Sequence, residues 1–157
     1  MLAAPIASAV SPVITAELTP PTFVAIDFET ADYGRDSVCA LALVRVEAGV
    51  IVQRAFHYIR PPRARMVFTY LHGISWEQVA GAPGFAQLWP QLQPLLAGAS
   101  FLAAHNASFD RAVMQACCAA AGLLSLLSQI TPQFTCEHTH SPSHPHSWRA
   151  HFPFDEK

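Results

Sequence analysis

The sequence predicts an α/β fold with a mixed sheet, and its 157 residues fit a single domain. Three observations support this fold class. Two β-favouring runs joined by a short turn predict an antiparallel hairpin. Amphipathic helical patterns follow the hairpin. Short apolar runs between and after those patterns predict strands that return to the same sheet.

The first half of the chain carries the strand signals. Phe23–Phe28 (FVAIDF) is apolar and β-favouring and predicts the first strand. A second strand is expected near Val38–Val46, and the short turn Glu47–Gly49 leads into a third strand over Val50–Ile59. The stretch Arg60–Arg63 (RPPR) ends the hairpin, because proline cannot donate to a ladder.

A first amphipathic helix follows Pro83-Gly84, because apolar residues recur at helical spacing. They are Phe85, Leu88, Trp89, Leu92, Leu95 and Leu96. Pro90 and Pro94 interrupt this pattern, so we expect a kinked or broken helix.

Ser100–Ala104 predicts a short buried strand, and Ala107–Ala121 a second helix that ends at the C-cap Gly122. Its expected buried side consists of Phe109, Ala112, Val113, Ala116, Cys117 and Ala120. Thr131–Cys136 (TPQFTC) has the character of one more strand.

Composition excludes several classes of protein. The chain is 52% hydrophobic and 13% charged, which is unlike a disordered protein. No apolar run reaches the ~18–20 residues of a membrane span, so no membrane partner is expected. A net charge of −2 excludes a broad basic surface as the main contact with nucleic acid. The four cysteines form no Cys-x-x-Cys pair, which disfavours a structural zinc ribbon and indicates a reducing, cytoplasmic location.

The chain divides into three regions. Residues 1–21 are small and apolar, lack Lys and Arg, and predict a disordered N-terminal extension rather than a secretory signal. Residues 22–136 form the folded domain. Residues 137–157 hold five of the eight histidines with several Pro and Ser, and predict an irregular tail. Adventitious binding of a transition metal is the alternative for this histidine cluster.

Two acidic residues interrupt the first strand. Asp27 and Glu29 are two residues apart, so on a strand they face the same side, roughly 6–7 Å apart. No Lys or Arg lies within the run, and a divalent cation such as Mg²⁺ is the simplest counter-charge. The alternative is an edge strand whose carboxylates point into solvent.

A third carboxylate follows the short strand. His105–Asp110 (HNASFD) runs through a polar turn into a helix and places Asp110 in its first turn. A cleft where strand ends meet a helix start is a common ligand site in α/β folds. Alternatively, Asn106 or Ser108 caps the helix and Asp110 only complements its dipole.

Taken together, the two acidic motifs resemble a known family. Asp-Phe-Glu-Thr (27–30) resembles the first motif of the DEDD exonuclease superfamily, and His-Asn-Ala-x-Phe-Asp (105–110) resembles the second. With the intervening His72-Gly73-Ile74, the chain is similar to DnaQ-like exonucleases, which include the proofreading epsilon subunits of bacterial DNA polymerase III. The resemblance covers residues 22 to about 136 and implies a ribonuclease H-like fold.

The resemblance also implies a function. It indicates 3′→5′ hydrolysis at the 3′ ends of single-stranded DNA or RNA with two Mg²⁺ or Mn²⁺ ions, and association with a DNA polymerase. Asp27, Glu29 and Asp110 would be the catalytic metal ligands.

The resemblance further assigns a substrate site. Phe109 would pack against a terminal base, and His72, Asn106 and the backbone near Thr30 would line the terminal nucleotide site. The alternatives are that Phe109 belongs to the core and that His72 only organises the turn before Ser75. Three arginines, Arg60, Arg63 and Arg65, would either contact phosphates or belong to a solvated loop.

The third family motif, a His four residues before a final Asp, is missing after Cys136. In the nearest pair, His151 and Asp155, only three residues intervene, and Pro153 blocks a regular helix between them. We therefore expect a C-terminally incomplete fold from a truncated or frame-shifted gene product, with impaired hydrolysis. The alternative is a catalytically inactive remnant that acts at most as a nucleic-acid or protein binding module.

Overall fold

A computed structural model describes residues 20–125 and 133–136 of the chain. Five strands form one mixed sheet in the spatial order β3-β2-β1-β4-β5. They are β1 (Phe23–Thr30), β2 (Val38–Glu47), β3 (Val50–Tyr58), β4 (Phe101–Ala104) and β5 (Gln133–Cys136). The hairpin strands pair antiparallel, whereas β4 runs parallel to both β1 and β5. The predicted α/β class with a mixed sheet is confirmed.

The hairpin closes through a two-residue turn. Glu47 pairs with Val50, and the residues between them, Ala48 and Gly49, both have positive φ angles, 48° and 79°. Positive φ at both central positions matches the right-handed twist of the flanking strands. The first strand extends to Thr30, two residues beyond the predicted end, so Asp27 and Glu29 both lie within it.

Four helices are described: α1 (Thr69–His72), α2 (Trp76–Val79), α3 (Phe85–Leu96) and α4 (Ala107–Ala120). The expected break in the first long helix is wrong, because α3 continues through both prolines. Pro90 and Pro94 lie on the exposed side of α3, where water can satisfy the carbonyl groups that lose their partners.

The second long helix confirms its predicted span but not its predicted buried face. The buried residues of α4 are Ala107, Asp110, Val113, Met114, Cys117 and Cys118, whereas Ala120 is exposed. The end of α4 forms a Schellman motif: the Leu123 N–H donates to the Cys118 carbonyl at 2.8 Å, and the Gly122 N–H to that of Ala119 at 3.1 Å. Gly122 has a φ of 70°, as a C-cap glycine requires.

The main core lies between one face of the sheet and the helices α3 and α4. Alternate residues of β1, Val24, Ile26 and Phe28, pack there with Leu88 and Val113. A smaller cluster joins α2 and the turn before it to β2 and the residue after β1, and it contains Ala31, Cys39, Ala40, Ile74 and Val79. The first cluster fixes α4 against β1, and the second fixes α2 near the end of β1.

The outer strand β3 is the edge of the sheet on the hairpin side. Val50, Ile51 and Val52 are exposed at its start. Within the described residues, no helix is long and apolar enough to cross a membrane. The predicted extension and tail lie outside the described residues, apart from Pro20 and Pro21.

Candidate active site

The topology brings two distant carboxylates together at one edge of the sheet. Because β1 and β4 are parallel, their carboxyl ends lie at the same edge, and α4 begins three residues after β4 ends. One oxygen of Asp110, Oδ1, accepts a hydrogen bond from the Phe28 N–H at 3.2 Å. This bond places Asp110 against the backbone next to Asp27, although the two acids are far apart in the sequence.

The two carboxylates are electrostatically coupled. Burial, and after it the negative charge of Asp27, raises the pKa of Asp110 to about 7. Burial also raises the pKa of Asp27, while the charge of nearby His105 partly lowers it. The pair therefore carries more negative charge than its surroundings compensate.

The third predicted carboxylate lies on the same strand as Asp27. Glu29 lies two residues along the same face of β1, and its charge raises the pKa of Cys39. In the described part of the chain, no group of three or more His, Cys, Asp or Glu residues is arranged to hold a metal ion. The convergence of Asp27, Glu29 and Asp110 on one metal stays a prediction.

The donor set nevertheless fits a divalent cation. Asp27 and Asp110 offer hard oxygen ligands beside each other, and Mg²⁺ is commonly held by one or two carboxylates with water and substrate phosphates. A cation would relieve the repulsion that raises the pKa of Asp110.

His72 is buried and holds the turn after α1. Its Nδ1 accepts the Ile74 N–H at 3.0 Å, and its Nε2 lies 3.2 Å from the carbonyl oxygen of Thr30. Because Nδ1 is an acceptor, Nε2 carries the proton and its N–H donates a hydrogen bond to the carbonyl oxygen of Thr30. These bonds favour the alternative that His72 organises the turn, and they tie that turn to the end of β1.

Asn106 and Phe109 flank the start of α4. Asn106 is the N-cap residue, but its side chain makes no capping bond and instead accepts the Ser108 hydroxyl at 2.9 Å. Phe109 is partly buried against the core, which agrees with the core alternative for this residue. Its ring is covered by the guanidinium of Arg35, 4.6 Å from the ring centroid.

A clamp of charged residues fixes the loop between β1 and β2. The guanidinium of Arg63 donates two hydrogen bonds to Asp32, at 3.1 and 3.2 Å, and two to Asp36, at 2.8 and 2.9 Å. These bonds lower the pKa of both carboxyls, that of Asp32 to about 2. Ser37 closes the loop, since its hydroxyl accepts the Asp32 N–H at 3.0 Å and donates to the Gly34 carbonyl at 2.6 Å.

Sequence reasoning assigned no role to His105, Arg35, Asp32 or Asp36. His105 was part of the second motif without a role, and Arg35 and the pairing of Arg63 with Asp32 had no local signal. The acidic spacing of Asp32 and Asp36 was the available hint, because two carboxylates close in the chain need a cation. Arg60 and Arg65 are exposed, whereas Arg63 belongs to the clamp. The candidate third-motif pair, His151 and Asp155, lies outside the described residues.

Comparisons with known proteins agree with the fold. A family model, RNase_T, described as exonuclease, matches residues 24–133. No curated protein matches the sequence significantly. Among solved structures, exonuclease X in complex with 5′ overhanging duplex DNA is 26% identical, with a TM-score of 0.51 over 73% of this chain and 58% of its own.

Two further structures show the same fold at lower identity. A 3′-exonuclease solved with a histone mRNA stem-loop is 20% identical, with a TM-score of 0.53 over 64% of this chain and 41% of its own. The zinc-bound complex of exonuclease I from E. coli with single-stranded DNA is 14% identical, with a TM-score of 0.61 over 74% and 28%. The chain thus spans between about a quarter and three fifths of these proteins. The predicted ribonuclease H-like exonuclease fold is confirmed.

Proposed function

This chain belongs to the RNase_T exonuclease family, and on that basis we propose that it hydrolyses phosphodiester bonds at the 3′ ends of nucleic acid strands. The observation that carries the proposal is the contact of Asp110 with the backbone beside Asp27. It pairs two carboxylates from the two family motifs and leaves their charge without a full counter-charge. Such a pair is suited to divalent cations and the phosphate they bind.

Asp27, Asp110 and Glu29 would hold the metal. When bound, two divalent cations supply Lewis-acid stabilisation of the phosphate and a more acidic water. The chain itself supplies position. β1 fixes Asp27 by its pairing with Ala42 of β2, and the Phe28 N–H fixes Oδ1 of Asp110.

The direct test is release of mononucleotides from an oligonucleotide labelled near its 3′ end, with Mg²⁺ or Mn²⁺. Asp27→Asn keeps the shape of the side chain but removes its charge, and it should abolish release. Glu47→Gln is the matched control, because Glu47 is an exposed acid beside the hairpin turn that pairs with Arg45. Release that survives Asp27→Asn, or no release by the unmodified protein with either metal, would contradict the proposal.

The missing third motif bears on the rate. The His of that motif is the expected general base, and its loss should slow hydrolysis by roughly 10²–10⁴-fold. We therefore propose a weak exonuclease. The sequence after Cys136 also favours the second candidate, a binding module without activity, which would bind oligonucleotides but release no nucleotide from them.

Substrate, location and partner are part of the proposal. Relatives of this fold were solved with DNA and with an mRNA stem-loop, so DNA and RNA oligonucleotides of equal sequence should be compared directly.

A cytoplasmic location and association with a DNA polymerase derive from the sequence alone. Fractionation of cells and co-purification with the polymerase of the same cells would test them.

A further inference from the structure

We propose that Arg35 binds a phosphate of the nucleic acid strand, with its guanidinium held on the ring of Phe109 at the rim of the carboxylate site. This inference rests on the proposed function for the nature of the ligand. It assigns a cationic contact to a loop that neither acidic motif includes.

The first argument is the direction in which Arg35 reaches. Its backbone carbonyl contacts Sγ of Cys117 at 3.8 Å, whereas its guanidinium lies over Phe109, eight residues earlier in α4. Eight residues correspond to about 12 Å along a helix axis. The side chain therefore extends along α4 toward its first turn, where Asp110 begins the site.

The second argument is charge. Arg35 lies between Asp32 and Asp36 in the sequence, yet both carboxylates bind Arg63. Within residues 20–125 and 133–136, Arg35 forms no ion pair, and its side chain is exposed. The clamp thus leaves a cation available near a site whose own side chains are acidic and would repel a phosphate.

The third argument is geometry. The Cζ atom of Arg35 lies over the Phe109 ring, and the guanidinium has five N–H donors, so those that point away from the ring can reach a phosphate oxygen. Binding therefore does not require Arg35 to leave the ring of Phe109. In this arrangement Phe109 supports Arg35, and the predicted packing of a terminal base on Phe109 would have to occur beside the guanidinium.

The test measures binding separately from cleavage. Affinity of the full chain for a fluorescent single-stranded oligonucleotide is followed by anisotropy in EDTA, over a series of salt concentrations. Removing one phosphate contact lowers the salt slope by about 0.7 for a single strand. We expect that decrease for Arg35→Ala and Arg35→Gln, and an unchanged slope for Arg35→Lys, which keeps the charge.

Arg54→Ala is the matched control, because Arg54 is exposed on the edge strand β3, away from α4. An equal decrease in slope for Arg54→Ala, or an unchanged slope for Arg35→Ala, would overturn the inference. A purely structural role for Arg35 would lower the melting temperature without moving the slope, and that result would also overturn it.

The same samples distinguish this inference from the proposed function. If the unmodified protein releases nucleotides but the salt slope of binding is the same in Arg35→Ala, only the inference fails. If it binds with an Arg35-dependent slope but releases nothing, only the exonuclease proposal fails. If it neither binds nor cleaves, both fail.

Discussion

Two pairs of acidic residues lie close together in this fold and differ in electrostatic surroundings. Asp32 and Asp36 share the guanidinium of Arg63, and the pKa of Asp32 is lowered to about 2. Among the described residues no guanidinium binds Asp27 or Asp110, and the pKa of Asp110 is raised to about 7. The first pair lies in a loop that begins immediately after the strand carrying Asp27.

The difference separates a structural role from a functional one. An acid pair that already has its cation gains nothing from another, and it stabilises the loop that it holds. Two buried carboxylates that repel each other favour the binding of a cation between them. Perturbed carboxylates without a protein partner are therefore the better markers of a ligand site.

The strongest contrast should come from Asp110→Asn. We expect nucleotide release to fall by at least about 10²–10³-fold, the scale seen when an electrostatic group at a reacting centre is removed. In EDTA the same variant should be more stable than the unmodified protein, by on the order of 1–3 kcal/mol above neutral pH.

The sign of this stability change follows from the raised pKa. A carboxyl whose pKa is raised on folding contributes stability below its unfolded pKa and loses that contribution as pH rises toward 7. Asparagine has no such loss. Urea unfolding in EDTA at several pH values would measure it, and a less stable Asn variant at high pH would show that the pair is not strained by charge.

The opposite behaviour is expected of the clamp. Arg63→Ala leaves the buried carboxylate of Asp32 without its partner and should destabilise the fold by about 2–3 kcal/mol, discounted because the Arg63 side chain is 46% exposed. Arg63→Lys should lie between, since lysine keeps the charge but not the forked geometry. Equal stability of all three proteins in urea would show that the clamp does not stabilise the fold.

Lowering the pH should change the contributions of the two acid pairs to the free energy of unfolding in opposite directions. The pKa of Asp32 is lowered to about 2, so its contribution is present above the unfolded value of 3.8 and is lost as pH falls through this interval. The loss should be about 1–2 kcal/mol. Arg63→Ala should flatten this part of the stability curve, and an unchanged curve would argue against the pairing.

The smallest expected effect is that of Gly34→Ala. A Cβ there would lie 2.5 Å from Nη2 of Arg63 and 2.7 Å from Oδ1 of Asp36, so the guanidinium must shift. We expect a loss of about 1 kcal/mol, the scale of a hydrogen bond. Gly81→Ala is the control, because nothing lies within 4 Å of a Cβ at that position.

Local patterns were sufficient to predict most of the fold. Strand and helix signals are short-range, so β1, the hairpin and α4 were placed within a few residues of their observed ends. The break expected in α3 was wrong, because Pro90 and Pro94 lie on the solvent-facing side, where water can bind the carbonyl groups that have no N–H partner. The buried face of α4 was rotated, because an alanine-rich helix has a weak apolar stripe and the contacts with β1 decided its orientation.

The site was predictable only in part. The two acidic motifs were visible because carboxylates are scarce in this chain. The link between Arg63 and Asp32, and the position of the Arg35 guanidinium over Phe109, depend on contacts between distant segments that no local pattern contains. The roles of Glu29, Thr30 and Asn106 as ligands or substrate contacts stay predictions.

The outer strand of the hairpin has a practical consequence for work with this protein. Its exposed Val50, Ile51 and Val52 border a row of backbone groups that can pair with another chain. Concentrated stocks should thus form oligomers and then precipitate on storage, in a manner that low ionic strength would not prevent. A lysine in place of Val52 would be a sensible first change for crystallisation or NMR samples, since natural edge strands use lysine to block such pairing.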